Sequence, residues 1–401
     1  MSVTRLGQAH VSILPSQHAD PARKVRSLVF HPARCALLAL LVFALAAGAG
    51  AAPQAPPEDL KVEAPAIPTS VKWLQAPPTT LEKLRGKVVL VDFWEYTCVN
   101  CIRTFPYLKK WHEKYKDQGL VILGVHTPEF DFAKAEHNVA RAAKQFGLSY
   151  PILVDSDYAV WRSYGNRYWP AKYLIDKDGF VRYFHFGEGG YGDTETKIQA
   201  LLKEANPQIQ LPPITEPLRG TDKPGAVCYP VTPELYAGFE RGGYANTLAN
   251  EEGYQPGKSP TYKDPGSWED GRIYLQGKWT NTSEAFISAR SQKNPSDYLA
   301  IKYHALEVNS VIRPEKGKPA RVWIYQNNKP VPRADKGDDL EYDSLGRSYI
   351  TVSQPRMYNL IKNSKFGQHT LKMATADAGV GIYSFTFVSC ELPGEARPKL
   401  P

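Results

Sequence analysis

The sequence predicts an α/β domain followed by an all-β sandwich. Between residues 80 and 205, continuous apolar runs of strand length alternate with segments whose apolar residues recur every three or four positions. Beyond a cluster of five prolines, Pro207, Pro212, Pro213, Pro217 and Pro224, the pattern changes. Short, partly alternating segments follow, separated by Gly, Pro, Asn and Asp clusters.

A short helical piece at 81–84 precedes Gly86 and the buried-strand run at 87–93. After Cys98, Ile102, Phe105, Leu108, Trp111 and Tyr115 fall near one helical face. Gly119 ends that helix, and residues 120–125 form a second buried strand. A helix at 132–146 stops at Gly147, followed by a short strand at 151–154, a helix around 158–164 and a strand at 171–175. The turn Asp176-Lys-Asp-Gly leads to a hairpin partner at 180–186, and a last helix runs from Thr194 to about Glu204. The order is βαβ then αββα, an α/β layer ending in an antiparallel hairpin. Residues 206–225 are read as a Pro-rich linker. The second domain spans 226–393, with strands expected at 298–303, 320–325, 348–352, 370–373 and 382–387, and 394–401 as a tail.

At 401 residues the chain has room for two domains. Residues 1–52 hold five basic residues against one acidic, so they supply half of the net charge of +8. What remains is ordinary for so long a chain, and no basic stripe suggests nucleic acid. The basic leader is followed by an apolar run from Cys35 and small residues up to Ala52, the pattern of an export signal. The run also reaches the lower limit of roughly 17–25 residues for a bilayer span. The leader is therefore expected to be a cleaved signal peptide or an N-terminal membrane anchor, and the body periplasmic or otherwise extracytoplasmic. Residues 53–79, rich in Pro and Ala, read as a tether. Setting Cys35 aside, Cys98, Cys101, Cys228 and Cys390 remain, an even number in an oxidising compartment.

The stretch VDFWEYTCVNCIRTFP begins at Val91 and holds Cys98 and Cys101 two residues apart. A zinc site lacks a second cysteine pair or two histidines at short spacing, so no metal is expected. Haem attachment needs His after the second Cys, and Ile102 stands there. A copper-thiolate site with His126 is an alternative, and a short stapling disulfide would add little stability. The context favours a redox dithiol. The pair follows an apolar strand and opens a helix, where the macrodipole favours the Cys98 thiolate. Cys101, one turn further in, is placed to resolve a mixed disulfide. The active group is then the redox-active disulfide itself, with no added cofactor.

These residues resemble the thioredoxin family, most nearly the exported TlpA/ResA group and the soluble C-terminal part of DipZ-type cytochrome c biogenesis proteins. The likeness rests on WEYTCVNCIRT from Trp94, GVHTPEF from Gly124, DSDYAVW from Asp155, GNRYWPA from Gly165 and HFGEG from His185. It extends weakly to QPRMY from Gln354 and YSFTF from Tyr383, and so covers most of 80–390. The resemblance implies a thioredoxin fold for 80–205, with Cys98 attacking and Cys101 resolving. It implies that Asp92 is the buried proton acceptor for the resolving thiol and that Pro170 is the cis proline facing the pair. Trp94, Thr97, His126, Glu129 and Trp169 are further residues expected around the pair. Thr97 departs from the family's Trp before the first cysteine, Val99-Asn100 from its Gly-Pro, and Thr104 from the acid that some TlpA-like reductases carry.

DipZ-type proteins carry a carbohydrate-binding-like, jelly-roll sandwich after this domain, and 226–393 resemble that module. Trp268, Trp279 and Trp323 are its available sugar platforms, although aromatics in a small sandwich are usually core. Cys228 and Cys390, near the two ends of this domain, are candidates for a structural disulfide. The expected function is an exported thiol:disulfide oxidoreductase acting on protein thiols or disulfides, apocytochrome c among them, with a separate membrane thiol reductase as electron donor. A thiol peroxidase and a glycan-targeted binding protein are the alternatives. The peroxiredoxin pattern is absent, since Thr97 abuts Cys98.

Overall fold

A computed structural model describes residues 61–394. The leader at 1–52, the first part of the tether and the tail beyond Gly394 lie outside the described residues. Among the described residues no helix is long and apolar enough to cross a membrane.

The first domain contains strands β1 (Val62–Glu63), β2 (Lys72–Leu74), β3 (Val88–Trp94), β4 (Leu120–His126), β5 (Ile152–Val154), β6 (Ala171–Ile175) and β7 (Phe180–Phe186). Its helices are α1 (Val99–Tyr115), α2 (Glu136–Phe146), α3 (Ala159–Ser163) and α4 (Tyr191–Ala205). The sheet order is β1-β7-β6-β3-β4-β5-β2, with β3 parallel to β4 and antiparallel to β6. This is the thioredoxin fold. Every residue of β3 is buried, as a strand covered on both faces requires. Its side chains alternate between two cores. Val89, Val91 and Phe93 pack with Leu123, Val125 and Val160 on one face. Val88, Leu90 and Trp94 pack with residues of α1, α2 and α4 on the other. The two-residue period therefore turns Asp92 toward α1.

Part of the expected tether belongs to the sheet. β1 pairs with β7 and β2 with β5, at the two edges, while Ile67 and Val71 are buried. Few apolar residues punctuate this Pro/Ala-rich stretch, but the open sheet edges supply backbone partners that no local pattern announces. The linker is also pinned. Thr215 N–H donates to Glu195 at 2.9 Å, and Leu218 N–H donates to the Tyr107 hydroxyl at 2.7 Å.

The second domain is an all-β sandwich built on two long antiparallel strands, Tyr298–Arg313 and Arg356–Thr375. The first half of Tyr298–Arg313 pairs with Ile273–Asn281 and its second half with Gly381–Val388, with register shifts between Ala305 and Asn309. One long ladder thus serves both layers. These strands exceed the expected short segments because the bulges break the alternation that marks a strand in sequence. Strands Val227–Cys228 and Cys390–Glu391 pair, and a disulfide joins Cys228 to Cys390. Trp279 and Trp323 are buried; Trp268 is half-buried, its indole N–H donating to Asp264 at 2.8 Å and Lys372 lying over its ring.

Candidate redox site

Cys98 caps the N-terminus of α1, in extended backbone where β3 gives way to the helix. Its sulfur accepts the Cys101 backbone N–H at 3.2 Å, and the two Sγ atoms lie 2.6 Å apart without a bond. Cys98 is half-buried and Cys101 fully buried. A partner sulfur can therefore reach the first and not the second. Burial pushes the Cys98 thiol up; hydrogen bonds from Cys101 pull it back, while Glu129 and Glu95 add to the rise. The macrodipole expected to favour the Cys98 thiolate acts against this rise. A helix start contributes only about 0.3–1 kcal/mol, and here burial with two nearby carboxylates outweighs it. Cys101 is pushed well above the usual thiol range by burial and by Cys98.

Asp92 lies on the α1 face of β3 and is 1% exposed. In the antiparallel pairing of β3 with β6 its partner is Lys172, and Lys172 Nζ stands 4.0 Å from Asp92 Oδ1. Burial pushes the Asp92 carboxyl up to about 7, against the pull of Lys172. Burial likewise pulls the Lys172 amine down, against the pull of Asp92. The sequence reading missed Lys172. Its signal was a lone lysine inside the apolar strand AKYLI, two residues after Pro170.

The Trp169–Pro170 peptide bond is cis. Trp169 packs its ring 4.2 Å from that of Trp161 and donates its indole N–H to Thr127 O at 3.0 Å. Trp94 is fully buried, edge-on to Phe105 and His126. A Cβ on Gly124 would come 3.1 Å from the Trp94 indole nitrogen and 2.9 Å from Tyr150, so glycine is what lets these rings sit against β4. Thr97 donates both its N–H and its hydroxyl to Glu95, the former at 2.6 Å. His126 is buried, stacked on Tyr96 and 3.7 Å from Glu95. Glu95 was also missed, although a charged residue inside FWEYTC could have flagged it. Glu129 accepts from Arg241 at 2.6 Å and from the Tyr236 hydroxyl at 2.9 Å, both residues of the sandwich domain.

Cys228 and Cys390 are bonded to each other rather than placed with this pair. Among the described residues no group of three or more His, Cys, Asp or Glu is arranged to hold a metal ion. Chemically, the site offers one accessible sulfur, one shielded sulfur and a buried carboxyl able to exchange a proton near neutrality.

Comparison with known proteins agrees with this geometry. Residues 62–184 match the AhpC/TSA family, and residues 232–387 match the thioredoxin like C-terminal domain. Protein DipZ of Mycobacterium tuberculosis is 35% identical over 328 residues, which are 81% of this chain and 42% of DipZ. The chain thus spans less than half the length of that relative. Thiol-disulfide oxidoreductase YkuV of Bacillus subtilis is 30% identical over 145 residues, 36% of this chain and 97% of YkuV. Thiol-disulfide oxidoreductase ResA of Bacillus thuringiensis is 31% identical over 134 residues, 33% of this chain and 72% of ResA. With a fold, a dithiol and relatives all of one kind, the chain belongs to the thioredoxin-like thiol-disulfide oxidoreductases.

Proposed function

We propose that this chain exchanges disulfides with protein thiols outside the cytoplasm, through Cys98 and Cys101. The observation that carries the reading is the asymmetry of the pair, a half-buried Cys98 capping α1 above a sealed Cys101. In the reducing direction the Cys98 thiolate attacks a partner disulfide, forming a mixed disulfide and releasing one partner thiolate. Asp92 takes the Cys101 proton, and the Cys101 thiolate attacks Cys98 Sγ. That attack expels the second partner thiolate and leaves the Cys98–Cys101 disulfide. Two electrons pass to the partner, and the oxidising direction is the reverse. In this reading the cis Pro170, after Trp169, faces the pair, and Trp94, Thr97 and His126 are the residues proposed to fix the chain around it.

Protein thiols or disulfides are the proposed substrates, apocytochrome c among them. A membrane thiol reductase is the proposed electron donor, and the leader at 1–52 supports a periplasmic or other extracytoplasmic location. The half-burial of Trp268 and the burial of Trp279 and Trp323 favour a structural role for the sandwich over glycan contact. The deciding experiment is Cys101→Ser expressed with its leader. It should accumulate reductant-sensitive conjugates on Cys98 that vanish in the Cys98→Ser/Cys101→Ser variant. Absence of any Cys98-linked protein, together with thiol-dependent peroxide consumption by the wild type, would replace this reading with a peroxidase.

A further inference from the structure

The segment after β4, residues 127–134, is bonded both to the strand that leads to Cys98 and to the residue before the cis proline. Thr127 N–H donates to Trp94 O at 3.2 Å, on the strand leading to Cys98. Thr127 O accepts from the Trp169 indole, next to Pro170. The same segment is gripped by the sandwich domain. Glu284 accepts the Asp131 N–H at 2.9 Å, and Tyr383 stands edge-on to Phe130 and Phe132 at 5.2 and 5.0 Å.

At the centre of this contact is Glu129, with a side chain only 9% exposed. Arg241 and Tyr236 both bond the same oxygen, Oε1, and the Arg241 guanidinium stacks 3.4 Å over the Tyr236 ring. The backbone that carries them is held close by glycines. A Cβ on Gly238 would collide with the Ser283–Glu284 backbone at 2.2 Å, and one on Gly242 with Tyr236 O at 2.3 Å. Arg241 is the cation facing Glu129; Glu234 from the sandwich and Glu95 from the redox domain add negative charge. The phenols of Tyr158 and Tyr236 complete the group, with Glu284 also within electrostatic reach of Tyr158.

We propose that the sandwich domain sets the reactivity of Cys98 through Arg241, a positioning residue that holds and neutralises the buried Glu129 carboxylate beside the redox pair. Negative charge on Glu129 acts on Cys98 and raises its thiol, since like charge opposes ionisation. The guanidinium offsets that effect from across the domain boundary. The second domain is thereby part of the redox site rather than a neighbour joined by a linker. Burial pushes Glu129 up to about 7, with Arg241 opposing, so the carboxylate is charged in the alkaline range where Cys98 titrates.

The inference rests on Cys98 as the reactive thiol, yet its test needs no protein substrate. The pH profile of iodoacetamide alkylation at Cys98, read by mass spectrometry on the reduced full chain, reports the thiolate directly. Glu129→Gln should shift the profile to lower pH and speed alkylation at fixed pH about 3- to 10-fold. Arg241→Met should shift it to higher pH, Arg241→Lys should restore it, and the Glu129→Gln/Arg241→Met double variant should return close to wild type. Glu129→Gln is nearly isosteric and tests the idea even where Arg241→Met fails to fold. Profiles within twofold of wild type for Glu129→Gln, or shifts of the same sign in both single variants, would overturn the proposal while leaving the exchange reading to the trapping experiment.

Discussion

Lys172 Nζ lies 4.0 Å from Asp92 Oδ1, and both side chains are sealed from solvent. Neither the two carboxylate oxygens nor the amine has a hydrogen-bond partner among the described residues. Two ionisable groups left so bare cost stability, because their attraction repays desolvation only when further hydrogen bonds help. The two directions of shift say the same: the acid is pushed up and the base down. Such a site is poor scaffolding, which supports the proton exchange with Cys101 proposed for Asp92.

Replacing the acid should expose that cost. The folded Asp92 carboxyl sits near 7 against an ordinary 3.8, so the native state binds more protons than the unfolded chain between those values. Stability contributed by this site is therefore greatest below about pH 4 and declines as pH rises through 7. Asp92→Asn removes the decline. The stability of the variant minus that of wild type should grow by roughly 3–4 kcal/mol between about pH 4 and 8. Urea unfolding at several pH values measures it; a difference that is flat with pH would contradict the raised carboxyl. The same variant should slow disulfide exchange at neutral pH.

Lys172→Met makes the complementary case. Lys172 is the group that pulls the Asp92 carboxyl down against burial. Without the cation that carboxyl should ionise only at higher pH. Where Asp92 must be ionised to accept the Cys101 proton, the acid limb of the exchange-rate profile moves upward by about a unit or more. Insulin reduction followed across pH reads this shift. An unmoved limb would remove Lys172 from the proton pathway.

These relationships divide what the sequence reveals from what it conceals. The strand run at 87–93, the helix started by Cys98 and the hairpin turn at Asp176 are written in local periodicity and turn chemistry. Asp92 is marked by the family resemblance, and a carboxylate inside the apolar VVLVDFW is in keeping with that assignment. Lys172 likewise stands charged inside an apolar strand, but its meaning depends on the β3–β6 register, which sets it opposite Asp92. Arg241 is less legible still. Nothing near it in sequence indicates that it reaches Glu129, 112 positions away. β1 and β2 were hidden for a related reason, since edge strands of two or three residues owe their form to the sheet they join.

The Cys228–Cys390 bond closes 162 residues of chain and clips together the two ends of the sandwich. In the chain-entropy model a loop of that length is worth about 5 kcal/mol, and measured losses for native disulfides run about 2–5. Cys228→Ser/Cys390→Ser should lose that much in denaturant unfolding of the second domain. Alkylation of Cys98 should change little, since the bond lies outside the redox pair. A coincident loss of Cys98 reactivity at low denaturant would instead tie the two domains into one cooperative unit.

Glu195 on α4 supplies the sharpest stability test. Its carboxylate, 1% exposed, accepts from the Trp111 indole at 3.0 Å, Lys114 at 2.5 Å, the Tyr115 hydroxyl at 2.5 Å and the Thr215 N–H at 2.9 Å. One side chain thus joins α1, α4 and the Pro-rich linker. Burial alone would raise its carboxyl, but Lys114, Tyr115 and Thr215 overcome that and hold it below the usual range. Glu195→Ala removes the acceptor shared by the Lys114 ammonium, the Trp111 indole, the Tyr115 hydroxyl and both the N–H and the hydroxyl of Thr215, while Lys114 keeps the Pro213 carbonyl. The loss should cost about 2–4 kcal/mol at neutral pH. Because the folded carboxyl is lowered, its own pH-dependent contribution is complete above about pH 4.5 and fades as pH falls through the folded value. The gap between wild type and variant in urea should therefore narrow on acidification. A gap that widened instead would mean that the acid is held neutral and the network is wired through a proton it does not release.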